Sequence, residues 1–434
     1  MDGLAFTCGM VQPEPSAAKP LVLALISTYL PGYKAGGPLR SVANLVAVFG
    51  GEIDFWIVTL DRDLGEKLPF PGIVVNRWIQ VGHANVMYLR PGLRGYLSMF
   101  ALLRSVDRNT VLYLNSFFNR RFSMMAVFMR RLNLCRVRSL VLAPRGEFSP
   151  GAIQFKRRRK LSYIKISHLL RLYDGITWHA SSDFEAADIQ RQFPLASHIS
   201  VAGILSDKIE IARGRRKSVL VTALDLGDVS FPKQQNRQPK RRGQLRAVFV
   251  SRLTRKKNLA GALRMLEGVS GDVFFDIYGP AEDAKYWEKC QRLIAALPPN
   301  IRVRYWGEIE HERIAQVFGE YDLFLFPTLG ENFGHVISEA LVSGCPVLIS
   351  DQTPWRNLEE AGVGWDIPLG ETERFQSVLQ QCVDGDDDWQ VVLSRHAMDY
   401  AAKRVSTPEV IDANRRLLQR AFARTNQCGY SIDS

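Results

Sequence analysis

Glu331 and Glu339 are separated by seven residues in Gly330-Glu-Asn-Phe-Gly-His-Val-Ile-Ser-Glu-Ala340, and they are the residues best placed to do chemistry. An apolar run, Asp322-Leu-Phe-Leu-Phe-Pro327, precedes them and reads as a buried strand. Leu341-Val-Ser-Gly344 follows, where a short helix should stop at glycine, and then a second buried strand, Pro346-Val-Leu-Ile-Ser350. A helix opening at Gly334 would carry Glu339 just over one turn in, with Glu331 in the loop before it. The free backbone N–H groups of such an end bind phosphate. An ionised carboxylate accepts hydroxyl hydrogen bonds at both oxygens, which suits a polyol. Phosphate and polyol at one place describe a sugar nucleotide.

Arg252 and Lys257 close the strand Ala247-Val-Phe-Val-Ser251. Cations held at a strand end can stabilise the charge that develops on a departing diphosphate, Arg as a planar fork and Lys as a point charge. The simpler reading is a solvated basic loop, and Arg255 and Lys256 show how common such charges are here.

Strand and helix patterns alternate in both halves of the chain. The amino half suggests strands at 21–27, 55–60, 111–115, 139–144 and 175–179, with a helix from Leu39 to Val48. The carboxyl half suggests strands near 245–251, 273–278, 302–306, 322–327 and 346–350. Alternation of this kind predicts parallel sheets covered on both faces. Ligands of such sheets sit at the carboxyl ends of the strands, where Arg252, Gly279, Gly307 and Glu331 all fall. The expected organisation is a disordered tail (1–19), a first Rossmann-like domain (20–225), a polar linker (226–243) and a second Rossmann-like domain (244–396). A last segment (397–434), helical from Ala397 to Ala423, follows.

Glu331-x7-Glu339 on a strand–loop–helix resembles the E-x7-E signature of the family 4 retaining glycosyltransferases. The segment Ala247 to Asn258 is similar to that family's strand followed by R-L-x-x-x-K, and Ser350-Asp-Gln-Thr-Pro-Trp355 resembles members that build bacterial surface polysaccharides. The match runs in order through the chain and is strong from 245 to 370. The resemblance implies the α/β GT-B fold, two doubly wound parallel-sheet domains facing across a cleft, with the last helix crossing back to the first domain. It implies transfer of a hexose from a nucleotide-sugar donor to a glycan or lipid-linked acceptor, with retention, without a metal and with no cofactor beyond the donor. By resemblance Arg252, Lys257 and Glu331 are catalytic. Glu339 holds the ribose, and the backbone from Asn332 through Phe333, Gly334, His335 and Val336 receives the anion. Gly36-Gly37 resembles the family's glycine loop, which lets backbone approach phosphate. Many members carry a histidine after the strand placed at 139–144; here the sequence is Ala143-Pro-Arg-Gly-Glu-Phe148, so Arg145 takes the position beside the sugar or acceptor. His179 reads as a packed histidine and Glu185 as a surface residue.

Asp61-Arg-Asp63 leaves a second reading open, since D-x-D after a strand marks the metal-dependent GT-A transferases. Asp384-Gly-Asp-Asp-Asp388 is most simply a solvated turn. The net charge of +12 leaves a third reading, a basic nucleic-acid-binding protein. Between 101 and 171 sixteen Lys and Arg face only Asp107 and Glu147. No binding module with interleaved aromatics accompanies them, so no nucleic-acid partner is expected. Phe155 to Leu170 mixes cations with apolar residues and could lie on anionic lipid; packing of 161–170 on the sheet is the simpler reading, and the arginines at 120–138 tilt toward membrane contact. With 46% apolar and 23% charged residues, no apolar stretch of membrane-spanning length and six scattered cysteines, the composition fits a cytoplasmic protein, peripheral at the membrane if the basic region engages it.

Overall fold

The structure, a computed structural model, describes residues 19–154, 156–205, 238–404 and 407–426. The expected tail up to residue 18, and the expected linker over 226–237, lie outside the described residues. The described residues form two compact units, one within 19–205 with 408–426 and the other within 238–407.

In the amino unit, eight strands form one sheet: β1 (Leu21–Leu25), β2 (Asp54–Leu60), β3 (Trp78–Val81), β4 (Ala84–Leu89), β5 (Val111–Leu114), β6 (Ser139–Leu142), β7 (Thr177–Ala180) and β8 (Ile199–Val201). Their order is β3-β4-β2-β1-β5-β6-β7-β8, and only the β3–β4 pair is antiparallel. β1 shows why both faces are covered. Leu23 and Leu25 pack into one core with Met99, Leu102 and Phe122, while Val22 and Ala24 pack into another with Leu45, Phe49, Leu417 and Leu418. Successive side chains of a strand point to opposite faces, so an apolar run without alternation needs helices on both.

The carboxyl unit holds β9 (Gln244–Val250), β10 (Asp272–Tyr278), β11 (Ile301–Gly307), β12 (Leu323–Phe326), β13 (Val347–Ser350) and β14 (Gly364–Ile367). They run parallel in the order β11-β10-β9-β12-β13-β14. Both sheets contain the doubly wound order, with a switch point between β1 and β5 in one and between β9 and β12 in the other. The crevice at such a point is where ligands of open α/β sheets bind.

The ten expected strands are present within a few residues of their expected bounds. β3, β4, β8 and β14 were not expected. The expected terminal helix from 397 to 423 is two helices, Asp387–Arg404 in the carboxyl unit and Pro408–Asn426 in the amino unit. The second places Leu417, Leu418 and Ala421 in the amino-unit core. Asn414 donates to the Gly203 carbonyl at 2.8 Å, and Arg415 pairs with Glu52 at 3.0 Å.

Candidate active site

At the carboxyl-unit switch point the loops leaving β9 and β12 are fastened together by backbone. The Leu329 amide donates to the Lys256 carbonyl at 2.8 Å. Asn258, left-handed at φ 60°, donates its side-chain amide to the Pro327 carbonyl at 2.8 Å and caps the helix Leu259–Leu266 by accepting from the Gly261 amide. The Glu331 amide is held by the Gln352 carbonyl, 2.9 Å away in the loop after β13. These contacts leave Lys257 and Glu331 little choice of position. Lys257 Nζ lies 2.5 Å from Glu331 Oε1, and the two side chains are 15% and 11% exposed. The Thr328 hydroxyl is 3.2 Å from the same oxygen.

Burial pushes the Glu331 carboxyl upward, but the charges of Lys257 and Lys256, with the hydrogen bonds from Lys257 and Thr328, outweigh it and hold the group below the usual carboxylate range. Glu331 is therefore an anion at neutral pH. Its Oε2 takes no hydrogen bond among the described residues, so a ligand hydroxyl has an open acceptor. An ammonium carries three donors, and Lys257 spends one on Glu331. Lys256, read from sequence as a solvated charge, acts on Glu331; Arg255 is exposed and lies 3.7 Å from Asp283. Arg252 turns elsewhere, to a half-exposed pair with Glu282 at 3.3 Å.

The helix His335–Val342 opens at Gly334, whose φ of 80° any side chain would resist. The Ile337 amide bonds back to the Gly334 carbonyl at 2.8 Å. The amides ahead of it are those a helix end leaves outside its own ladder. Trp355 donates its indole N–H to the Phe333 carbonyl at 2.5 Å and fixes the approach to that end. Glu339 is half-buried four residues after His335, on the same side of the helix. At the neighbouring strand ends, Gly279 is obligatory: a Cβ there would meet the Ser251 carbonyl oxygen at 1.9 Å.

The amino-unit switch point carries a second constellation. Gly36 (φ 63°) precedes the helix Gly37–Phe49. Asp63 accepts from the amides of Tyr33 (2.8 Å), Lys34 (3.1 Å) and Leu64 (2.7 Å), and Asp61 pairs with Arg62 at 2.8 Å. The D-x-D sequence is thus a brace for the glycine loop, because its carboxylates are taken by backbone and by Arg62. Among the described residues, no group of three or more His, Cys, Asp or Glu gathers as a metal site.

Arg145, left-handed at φ 55°, stands at the exit of β6. Its Nε donates to Asn115 Oδ1 at 2.8 Å, and Asn115 donates to the Pro38 carbonyl at 3.0 Å. Arg145 Nη2 donates to the Tyr113 hydroxyl at 2.8 Å. That hydroxyl lies 2.7 Å from His179 Nδ1, and His179 Nε2 lies 2.9 Å from the Ala202 carbonyl. Since only a protonated Nε2 can bond that carbonyl, Nδ1 accepts from Tyr113 and the chain of donors has one direction. Burial, then the Arg145 charge, push His179 down to about 3 against the Ala202 bond, so it stays neutral. Arg145 Nη1 is buried with no partner among the described residues. His179 is packed as expected. Glu185 is not on the surface: it is 2% exposed and accepts from the Gly146 amide (2.6 Å) and from the Ser181 amide and hydroxyl (2.8 Å each). It sits in the first turn of the helix Asp183–Gln192, whose cap is Ser182, and folds back to hold the Arg145 loop.

Sequence reasoning took Lys256 for a solvated charge and Glu185 for a surface residue, and passed over Thr328 and Asn258 in one unit and Tyr113 and Asn115 in the other. Only Asn258 and Ser182 carried a signal that could have found them, a capping residue ahead of an apolar-patterned helix.

With this geometry in view, residues 230–405 match the family model described as Glycosyl transferases group 1. The fold is GT-B. Among similar solved structures are Anabaena HepE in complex with UDP-glucose (16% identity, 93% of this chain and 99% of that one, TM-score 0.63) and sucrose-phosphate synthase from Thermosynechococcus elongatus (14%, 93% and 99%, TM-score 0.67). WaaG, a glycosyltransferase involved in lipopolysaccharide biosynthesis, is another (13%, 92% and 98%, TM-score 0.61). A curated relative, the GtfA subunit of a UDP-N-acetylglucosamine–peptide N-acetylglucosaminyltransferase from Streptococcus agalactiae, is 28% identical over 144 residues, 32% of this chain. The match spans about a quarter of that relative's length, 24%. The carboxyl unit is thus similar to glycosyl transferases of group 1.

Proposed function

We propose that the protein is a retaining, metal-independent hexosyltransferase that moves a sugar from a uridine diphosphate donor to a glycan or lipid-linked acceptor in polysaccharide assembly. The observation that carries this reading is the Lys257–Glu331 pair, held by backbone at the switch point where the domain's ligand belongs. Lys257, aided by Lys256, offsets the charge that grows on the departing diphosphate. The amides at the start of the helix His335–Val342 receive its oxygens, and Glu339 takes the ribose hydroxyls. Glu331 accepts from sugar hydroxyls through Oε2 and steadies the developing oxocarbenium ion. The C1–O bond breaks toward the diphosphate, the acceptor oxygen bonds to C1 on the same face, and the leaving phosphate oxygen takes the acceptor's proton. The choice of uridine rests on UDP and UDP-sugars being named for several similar structures.

Arg252 enters this reading with a smaller share than its sequence position suggested, because its guanidinium pairs with Glu282 at 3.3 Å. It would have to exchange that half-exposed carboxylate for diphosphate. Arg145 is assigned to acceptor or sugar positioning through Nη1.

The test is UDP release from a panel of UDP-hexoses with a crude lipid-linked or glycan acceptor, with and without EDTA, and the anomeric configuration of the product read by NMR. Lys257→Met and Glu331→Gln should each lower turnover by about 100- to 1000-fold. Inversion at C1, or turnover abolished by EDTA and restored by Mn or Mg, would overturn the respective part of the reading.

A further inference from the structure

The amino unit carries an exposed surface to which none of the site residues described above belongs. The helix Arg157–Leu169 buries only Ile164 and Ser167 fully. Along the same segment Ile166 is 47% exposed, Leu169 81% and Leu170 43%. The turn after the helix Met125–Arg131 lies against it: Arg131 Nε donates to the Leu170 carbonyl at 3.0 Å, and Arg130 Nη1 to the Asp174 carbonyl at 3.4 Å. That turn leaves Leu132 65% exposed and Leu134 40%. Five large aliphatic side chains thus stand in solvent on two adjoining segments. Residues 130–138 and 156–171 together hold eleven Lys and Arg and no Asp or Glu. Asp174, the next acid, is paired with Arg171 at 2.6 Å.

We infer that this surface docks on an anionic lipid bilayer, with Leu132, Leu169 and their neighbours entering the interface and Arg136, Arg158, Arg159 and Lys165 resting on the headgroups. Lipid is the partner whose chemistry fits both halves of the surface. Polyanions such as RNA would answer the cations but leave the leucines in water, and no exposed aromatic of the surface offers a base to stack on. Apolar insertion and polybasic attraction are each weak alone and anchor stably when combined. The sequence reading puts membrane contact on the basic 101–171 region, through a helix 155–170 and the arginines at 120–138; here the helix turns Ile164 inward and shares the exposed apolar side chains with the 130–134 turn. The inference does not depend on the glycosyltransferase reading.

The test is co-sedimentation of the full chain with phosphatidylcholine vesicles and with vesicles containing about 30 mol% phosphatidylglycerol, at low and high salt. Binding is expected on the anionic vesicles and not on the neutral ones. Leu132→Ser with Leu169→Ser should weaken it by roughly tenfold, as should Arg136→Glu with Lys165→Glu. Both pairs are surface changes, and an unchanged melting profile establishes that each folds. No binding to anionic vesicles overturns the inference. So does serine-variant binding equal to wild type, or tighter retention by single-stranded RNA than by vesicles, since either makes the surface a general polyanion patch.

Discussion

Truncating either member of an ion pair this well sheltered strands the other, and the two directions differ. Lys257→Met leaves a carboxylate with burial acting on it and only Lys256 and the Thr328 hydroxyl in support, and should cost about 2 to 3 kcal/mol in a denaturant titration. Glu331→Gln leaves an ammonium that can still reach solvent, so its cost should be smaller. The double variant should lose less than the two singles added together. Acid acts on the same pair. The folded Glu331 titrates below 4.5, its ordinary value, so its contribution is complete above about pH 5 and fades as pH falls through the folded value. These two residues were legible in the sequence because a glutamate in a loop between a buried strand and a short helix has few bland explanations. Tyr113 and Asn115 were not. A tyrosine and an asparagine at a strand end look like core and loop until the fold brings Arg145 and His179 beside them.

Among the elements, the helix His335–Val342 depends on one backbone choice. Gly334→Ala would need a left-handed alanine, and its Cβ would sit 2.8 Å from Ile337 Cδ1. We expect a loss of about 1 to 3 kcal/mol and weaker affinity for UDP, measured by thermal melts with and without UDP. Donor affinity falling while stability holds would locate the effect at the helix end itself. The ten strands read correctly are mostly buried on both faces, so apolar runs marked them. The β3–β4 hairpin escaped because β3 is half-exposed, with Arg77 just before it and Gln80 within it, and β14 because Gly-Trp-Asp-Ile is too short to show a period. The glutamate brace on the Arg145 loop escaped for another reason: a glutamate in the first turn of a helix usually faces water.

For the whole molecule, His179 predicts a pH response separable from that of the carboxylates. Its folded value near 3 lies below the ordinary 6.5, so the unfolded chain binds the extra proton and stability falls as pH drops from 6.5 toward 3. In His179→Gln the pH slope of unfolding free energy over that window should be shallower by up to about 1.4 kcal/mol per unit. Equal slopes would mean His179 is charged in the folded protein.

The helix Pro408–Asn426 adds a constraint of order in time. Leu417 and Leu418 fill the same core as Val22 and Ala24, and removing 408–434 would uncover both, at roughly 2 kcal/mol each. Such a chain should show one protease-resistant unit covering 238–404 and a readily digested remainder. On the ribosome the same arithmetic reverses the usual sequence of events. The amino sheet is synthesised first, yet one of its faces, covered in part by Leu45 and Phe49, is completed only when residue 426 has emerged, by which point the carboxyl sheet can already have closed. The first-made half is the last to finish, and a translational pause near residue 405 would leave its Val22 face looking for another chain.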